Sequence, residues 1–384
     1  MYLDNSATTY PLPEVLETYQ AVSTRYFANP SSAHALGNQA QQLLQQARQQ
    51  IATILGFKSE EIYFTSSGTE SNNWVLQGIV RALRTKFPHK HKILLSAIEH
   101  PSIQQQVTRL RQQGLEVVLL PVDANGQLQL EYLASQLDEE VLLVSTMAVN
   151  NEVGTIQPLG QIAEMLRAYP SIVWHVDAVQ AVTCELALLQ QLDRLDLCTL
   201  SAHKFHAPRG VGILAKRQAI VAEPLLYGGG QELGLRSSTE NLAGIVATAK
   251  ALRLVQQAQN DTRARLTVYR QQIVACLLEL GWQVFGGENV SEHIICTALV
   301  GIPSEVMMNA FGERQVYVST TSACSSRAKN APHHTLGAMG ISPQLAKSAI
   351  RISLAMTTEQ TEITQLLEHL KTITKQFEQT RGKA

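Results

Sequence analysis

The chain has 384 residues, of which 45% are hydrophobic and 16% charged, with a formal net charge of -1. That composition excludes a disordered chain, and the charge balance excludes a broad field suited to nucleic acid or an anionic membrane. No apolar stretch reaches bilayer-spanning length, and this many residues can fill two domains.

The opening MYLDNSATTYPLPE lacks the basic and apolar segments of a secretory signal. Five cysteines (184, 198, 276, 296 and 324) form no CxxC pair, and an odd number cannot pair fully within one chain. A reducing cytoplasm is therefore the expected compartment. The Gln-rich stretch QAQQLLQQARQQ (39–50) reads as a solvated helix face. Short β-rich runs then follow: EIYF (61–64), KILLSAI (92–98), EVVLLPV (116–122), VLLVSTM (141–147), SIVWHV (171–176), DLCTLSA (196–202) and GVGILAK (210–216). Between most of them lie stretches of helical spacing such as QPLGQIAEMLRAYP and QAVTCELALLQQLDRLD. Strands alternating with helices predict βαβ crossovers and a mostly parallel sheet covered on both faces. After about residue 250 a long helical segment leads to CTALVGI, QVYVSTTSACSS, AIRISLA and a final polar helix, which predicts a smaller α+β unit.

Ligands of open α/β sheets bind outside the carboxyl ends of the strands, so the residues just after each run matter most. They are TSSGTESNN after the first run, Glu99-His100-Pro101 after the second, AVNNEVG after VLLVSTM, Asp177-Ala178-Val179-Gln180 after SIVWHV, and His203-Lys204 after DLCTLSA. Asn151, Asp177 and Lys204 lie 26 and 27 residues apart, about one βαβ unit each, which places them at one end of the sheet. Each has an ordinary explanation alone. The hydroxyls before the helix ESNNWVLQGIVRAL can be plain N-caps; Asp177 can sit in a structural ion pair; His100 can be a core histidine; Asn151 can shape a turn; Lys204 can be solvated.

Taken jointly they describe a pyridoxal phosphate site. Such a site needs a lysine for covalent attachment, an acid for the pyridine nitrogen and an anchor for the phosphate. Lys204, Asp177 and the Gly68-Thr69 helix start meet those needs. His100 supplies a flat ring to stack, and Asn151 a donor to the 3-oxygen.

The chain resembles cysteine desulfurases of the NifS/IscS type, in the class V aminotransferase family of fold type I. The resemblance runs through YLDNSATT (2–9), NPSS (29–32), FTSSGTESNN (64–73), EHPS (99–102), VNNEVGTIQP (149–158), HVDAVQ (175–180), SAHKFHAPRGVG (201–212), GGGQELGLRSSTEN (228–241), STTSACSS (319–326) and AIRISL (349–354). It implies a large α/β domain over 12–250 that binds the cofactor, and a small α+β domain of 1–11 and 251–384 that carries a cysteine loop. It also implies residue roles. Lys204 carries the cofactor, His100 stacks and moves protons, Asp177 pairs with the ring nitrogen, and Asn151 and Gln180 address the 3-oxygen. Gly68, Thr69, Ser201 and His203 hold the phosphate, and Thr239 reaches the phosphate in a partner subunit, which implies a homodimer. Arg351 clamps the substrate carboxylate with its planar fork.

Cys324 sits in the Ser/Thr-rich stretch VSTTSACSSR near Arg327, where a thiolate is favoured. The resemblance makes it the nucleophile that takes sulfur from L-cysteine, leaving alanine and an enzyme persulfide. The stretch before it is similar to the longer-loop group of desulfurases, which implies handover to a sulfur-acceptor protein, either an iron–sulfur scaffold or a tRNA thiolase, with no direct nucleic-acid or membrane contact. The other four cysteines read as small buried hydrophobes. Departures from the family pattern fall at SSGTES, Leu233, Ser238, Thr320 and Thr321. Rival readings are a selenocysteine lyase or aminotransferase of the same family, in which Cys324 is incidental, and a non-catalytic assembly protein that keeps the fold.

Overall fold

The computed structural model describes residues 1–321 and 334–381. Seven strands form one sheet: β1 (Ile62–Thr65), β2 (Lys92–Ser96), β3 (Glu116–Leu120), β4 (Val141–Met147), β5 (Val173–Asp177), β6 (Leu197–Ser201) and β7 (Gly212–Lys216). Their order is β1-β7-β6-β5-β4-β2-β3. Strands β2 to β6 pair in parallel, and β7 runs antiparallel to both β6 and β1. All seven residues of β4 are buried, as a continuous apolar run demands in a sheet covered twice. Alternate strand residues serve opposite faces. Phe64, Leu94 and Ile213 join a core built on the helix Ala35–Leu55, whereas Tyr63, Leu95 and Leu214 pack with Trp74, Ile79 and Leu83. The Gln-rich stretch buries Ala40, Leu44 and Ala47 of that helix and leaves most of its glutamines outward, as its spacing predicts.

A second, antiparallel sheet holds β8 (Gln283–Phe285), β9 (Ile294–Ala298), β10 (Ser319–Thr320) and β11 (Ala349–Ser353) in the order β10-β11-β9-β8. The helix Leu242–Glu279 joins the two: Leu242 to Val255 pack in the first core, and Leu266 to Leu277 in a second core with Ile350 and Ile352. Met147 and Ile98 meet Phe285, Cys296 and Ala349 in an apolar wedge between the sheets. The N-terminal segment also crosses this junction. Leu3 exchanges backbone bonds with Tyr317 and Ser353, and Thr9 N–H donates to the His203 carbonyl at 2.8 Å. No helix among the described residues is long and apolar enough to cross a membrane.

Two local expectations change. The stretch QAVTCELALLQQLDRLD is helical only over Leu186–Gln190. The chain at its start is tied down instead: Val179 N–H, just before it, donates to Asp177 Oδ1 at 3.1 Å, and Gln180 Nε2 to the Ser6 carbonyl at 2.9 Å. The run QVYVSTTSACSS contributes the two-residue strand β10, and β8 was not legible in the sequence.

The register levels the strand ends that matter. Met147 lies opposite Asp177, and Asp177 opposite Thr199. Gly212 guards another approach: a Cβ there would meet the Ser67 carbonyl carbon and oxygen and Thr65 Oγ1, all at 2.4 Å. Gly212→Ala is therefore expected to lower stability by about 1–3 kcal/mol through overpacking against backbone. Gly160→Ala, where a Cβ meets nothing within 4 Å, serves as the neutral comparison in denaturant unfolding.

His175 is fully buried in β5 between Ser145 Oγ (2.8 Å) and Thr199 Oγ1 (3.0 Å). Burial drives its pKa down to about 4, against the pull of Asp177. The unfolded chain thus binds this proton first as pH falls, so folding stability drops between pH 6.5 and about 4. In that window His175→Gln is expected to reduce the slope of unfolding free energy by about 1.4 kcal/mol per pH unit, one proton's worth. An unchanged slope would show that His175 titrates normally.

Candidate active site

The carboxyl ends of β4, β5 and β6 open into a cavity of about 300 Å³. Its wall includes Gly68, Thr69, His100, Asn151, Asp177, Gln180, Ser201, His203, Lys204 and Arg351. Ten of the twelve residues singled out in the sequence therefore meet at one place. Thr239 lies elsewhere, exposed on the loop after Arg236, and Cys324 lies outside the described residues.

The strand order explains the convergence. Strands β4, β5 and β6 are sequential neighbours, so the residues that follow them share one rim. Asp177 ends β5 and is 5% exposed; a buried carboxylate needs donors. Val179 N–H supplies one to Oδ1, and Asn72 Nδ2 donates to Oδ2 at 2.7 Å. Asn72 also donates to Ser102 Oγ at 2.9 Å, and Ser102 Oγ lies 2.8 Å from His100 Nδ1. Because Ser102 N–H also donates to His100 Nδ1 (3.2 Å), that nitrogen is an acceptor, and the network assigns the ring proton to Nε2. A chain Asp177–Asn72–Ser102–His100 thus links the acid at the cavity floor to the cavity histidine. Sequence reasoning missed Asn72 and Ser102. The signal was available in part, since Asn72 stands one helical turn after Gly68 and Ser102 belongs to EHPS.

The helix that starts at Gly68 continues without a break through Lys86. First-turn N–H groups have no intrahelical partner. Ser67 caps the helix by accepting from Glu70 N–H at 3.1 Å, so the plain N-cap is real, but it serves that group and not Gly68 or Thr69. A Cβ on Gly68 would stand 3.0 Å from Val179 Cγ2 and 3.3 Å from Ser201 Cβ, so the bare backbone keeps this corner open. Glu70 and the loop carrying Thr239 are locked together: Arg236 Nε and Nη2 donate to its two oxygens at 2.8 and 3.1 Å. Glu232 of the same loop pairs with Arg48 at 2.7 Å.

Lys204 follows β6 in a short 3-10 turn. Its Nζ donates to the carbonyls of Ser6 (2.5 Å) and Ala7 (2.9 Å). His203 Nδ1 lies 3.1 Å from Thr8 Oγ1. The motif YLDNSATT therefore forms part of the site wall, a role its residues alone did not reveal. Arg351, on β11, is also buried: Nη1 donates to the Asn151 carbonyl at 2.8 Å and Nη2 to Asp4 Oδ1 at 2.7 Å. It is neither a solvated strand arginine nor an empty clamp.

Electrostatics sort the remaining groups. Burial lowers the His100 pKa; Asp177 opposes the shift and Lys204 adds to it. His203 is pushed down to about 4 by burial, then by Lys204 and Arg209. Both imidazoles are neutral at physiological pH. Glu99 is wholly buried, and burial followed by Asp177 raises its pKa well above the carboxylate range, although Met147 N–H donates to its Oε1 at 2.6 Å. The four described cysteines, 184, 198, 276 and 296, are buried, and burial raises every one of their thiol pKa values.

The wall fits pyridoxal phosphate. A lysine amine, an acid held by two donors, a neutral imidazole, a helix start with an open glycine corner and a buried guanidinium all face one volume. The comparisons with known proteins agree. Residues 1–366 match the model of the family described as aminotransferase class-V. A NifS/IcsS protein homolog of Lactobacillus delbrueckii subsp. bulgaricus is 44% identical over 92% of this chain and 91% of its own. A cysteine desulfurase IscS of Clostridium botulinum is 34% identical over 98% and 94%. A solved NifS-like protein superposes with a TM-score of 0.90 at 34% identity, covering 97% of this chain and 98% of its own. The chain belongs to the class V aminotransferase family, among the NifS/IscS cysteine desulfurases, whose members are pyridoxal-phosphate-dependent enzymes.

Proposed function

We propose that this enzyme converts L-cysteine to L-alanine and takes the sulfur onto Cys324 as a persulfide. The observation that carries the reading is the meeting of Lys204, Asp177, His100 and Arg351 around one cavity, supported by relatives named cysteine desulfurase. Pyridoxal phosphate, when bound, supplies the electron sink that loosens the substrate's Cα–H and C–S bonds.

The chain's own groups do the rest. Lys204 would hold the cofactor covalently and, when its amine is released from that bond, would give and take protons at the substrate Cα. Asp177 meets the pyridine nitrogen, aligned by Asn72 and Val179. His100 would stack on the cofactor ring and offer Nε2–H for proton transfer. Asn151 and Gln180 address the 3-oxygen side. Gly68 and Thr69 N–H groups, Ser201 and neutral His203 hold the phosphate. Arg351 takes the substrate carboxylate. In the net step the C–S bond breaks, its electron pair stays with carbon, carbon takes a proton, and the Cys324 thiolate bonds the released sulfur. Buried thiols with raised pKa values suit no such attack, which supports Cys324 over the four described cysteines.

The persulfide then passes to an acceptor protein of iron–sulfur assembly or tRNA thiolation in the cytoplasm. Thr239, exposed on a loop pinned by the Glu232 and Arg236 ion pairs, suits a residue that completes the phosphate site of a partner subunit in a homodimer. The division into a large domain of 12–250 and a small one of 1–11 and 251–384 is supported by the two cores and by the backbone bonds of Leu3 to Tyr317 and Ser353.

Two variants test the assignment. Lys204→Ala is expected to purify without the visible band of bound cofactor and without activity. Cys324→Ala is expected to keep that band while sulfur transfer falls by about two orders of magnitude or more. Undiminished sulfur release by Cys324→Ala would favour a lyase in which this thiol is incidental, and a cofactor-loaded wild type that releases no sulfur would favour an aminotransferase. A wild-type protein that never shows the band would instead favour a non-catalytic assembly role.

A further inference from the structure

Arg351 is the cavity's substrate-facing cation, yet a carboxylate is already on it. Asp4 Oδ1 accepts from its Nη2 at 2.7 Å, and the Asn151 carbonyl occupies Nη1. Of its other donors, Nε is buried with no hydrogen-bond partner among the described residues. The two partners differ in their access to water. The Arg351 side chain is 5% exposed and that of Asp4 is 21% exposed. If the pair parts, Asp4 can hydrate, whereas the guanidinium stays in the wall and needs another anion.

Only the Asp4 side chain, 21% exposed, has to yield. Its backbone is fixed: the Asp4 carbonyl accepts from Ala7 N–H at 3.0 Å, and the flanking Leu3 bonds Ser353 and Tyr317. The swap therefore asks for a side-chain rotation and no backbone motion. A second acid, Glu152, acts on the same guanidinium. Burial drives its pKa up to about 7, against the Thr335 hydrogen bond and the Arg351 charge, so Glu152 cannot serve as a full counter-charge at neutral pH. Asp4 is thus the principal resident anion of Arg351.

We infer that Asp4 is a positioning and specificity residue, a built-in carboxylate that the substrate's carboxylate displaces from Arg351. The inference rests on the reading of Arg351 as the carboxylate clamp. Occupied by Asp4, the clamp is electrically quiet, so stray monoanions gain little by entering. An amino acid succeeds because its amine and side chain are engaged at the same time. The exchange is paid for by those other contacts, and KM is set higher than an uncovered arginine would give.

The test compares the holoenzyme with Asp4→Asn, Asp4→Ala and Arg351→Lys. Readouts are KM and kcat for L-cysteine, and the dissociation constant of L-alanine from thermal shift. Asp4→Asn retains an oxygen acceptor and loses the charge. It is expected to lower KM by about fivefold or more and to tighten alanine by a similar factor, with kcat falling as product lingers. Asp4→Ala is expected to move both constants the same way. Arg351→Lys is expected to raise KM at least about tenfold, since one ammonium cannot replace the planar fork. If Arg351→Lys raises KM but both Asp4 variants leave it unchanged or higher, Asp4 merely braces the clamp and the inference fails alone. If Arg351→Lys leaves KM unchanged, the clamp reading itself fails and this inference with it.

Discussion

A carboxylate buried at the end of a central parallel strand is the constraint around which the site is arranged. Asp177 cannot sit there without donors, and each donor it recruits commits another element. Asn72 commits the helix that starts at Gly68, and through Ser102 it commits the turn holding His100. Val179 commits the chain leaving β5, which explains why that stretch turns before it becomes helical. Asp177, the helix that starts at Gly68 and His100 are thus joined in a single hydrogen-bonded assembly. Disturbing Asn72 should be felt at both ends of it.

The second constraint is the N-terminal segment. It leaves the β10–β11 side through Leu3 and reaches the end of β6 at Thr9. On the way its Asp4 meets Arg351, its Ser6 and Ala7 carbonyls meet Lys204, Ser6 also meets Gln180, and its Thr8 meets His203. The seven residues from Leu3 to Thr9 thereby tie Lys204, His203 and Arg351 to one another. Because it bridges two sheets, it also fixes how far Arg351 stands from the rim of the first.

Much of this was legible beforehand. The repeat of apolar runs gave the parallel strands, because a doubly covered sheet writes itself as continuous hydrophobic segments. The equal spacing of Asn151, Asp177 and Lys204 gave the rim, because sequential parallel strands bring equivalent ends together. Other parts were not legible for physical reasons. The Asp4–Arg351 pair spans 347 positions, and no local pattern encodes so distant a contact. Asn72 reads as an ordinary helix residue until the fold sets it against Asp177. Apolar spacing in QAVTCELALLQQLDRLD promised a helix, but tertiary hydrogen bonds near its start override local propensity. Cys324 rests on the sequence, since it lies outside the described residues.

The most direct measurement of the central claim is to fix the cofactor by borohydride reduction of the holoenzyme and locate the added mass by peptide mapping. Lys204 is half-buried, whereas Lys90, Lys92 and Lys216 are fully buried, so burial alone does not select the site of attachment. The account requires the pyridoxyl mass on the peptide containing Lys204, in stoichiometric yield. Mass on Lys90, Lys92 or Lys216, or on no lysine of a fully loaded enzyme, would contradict it.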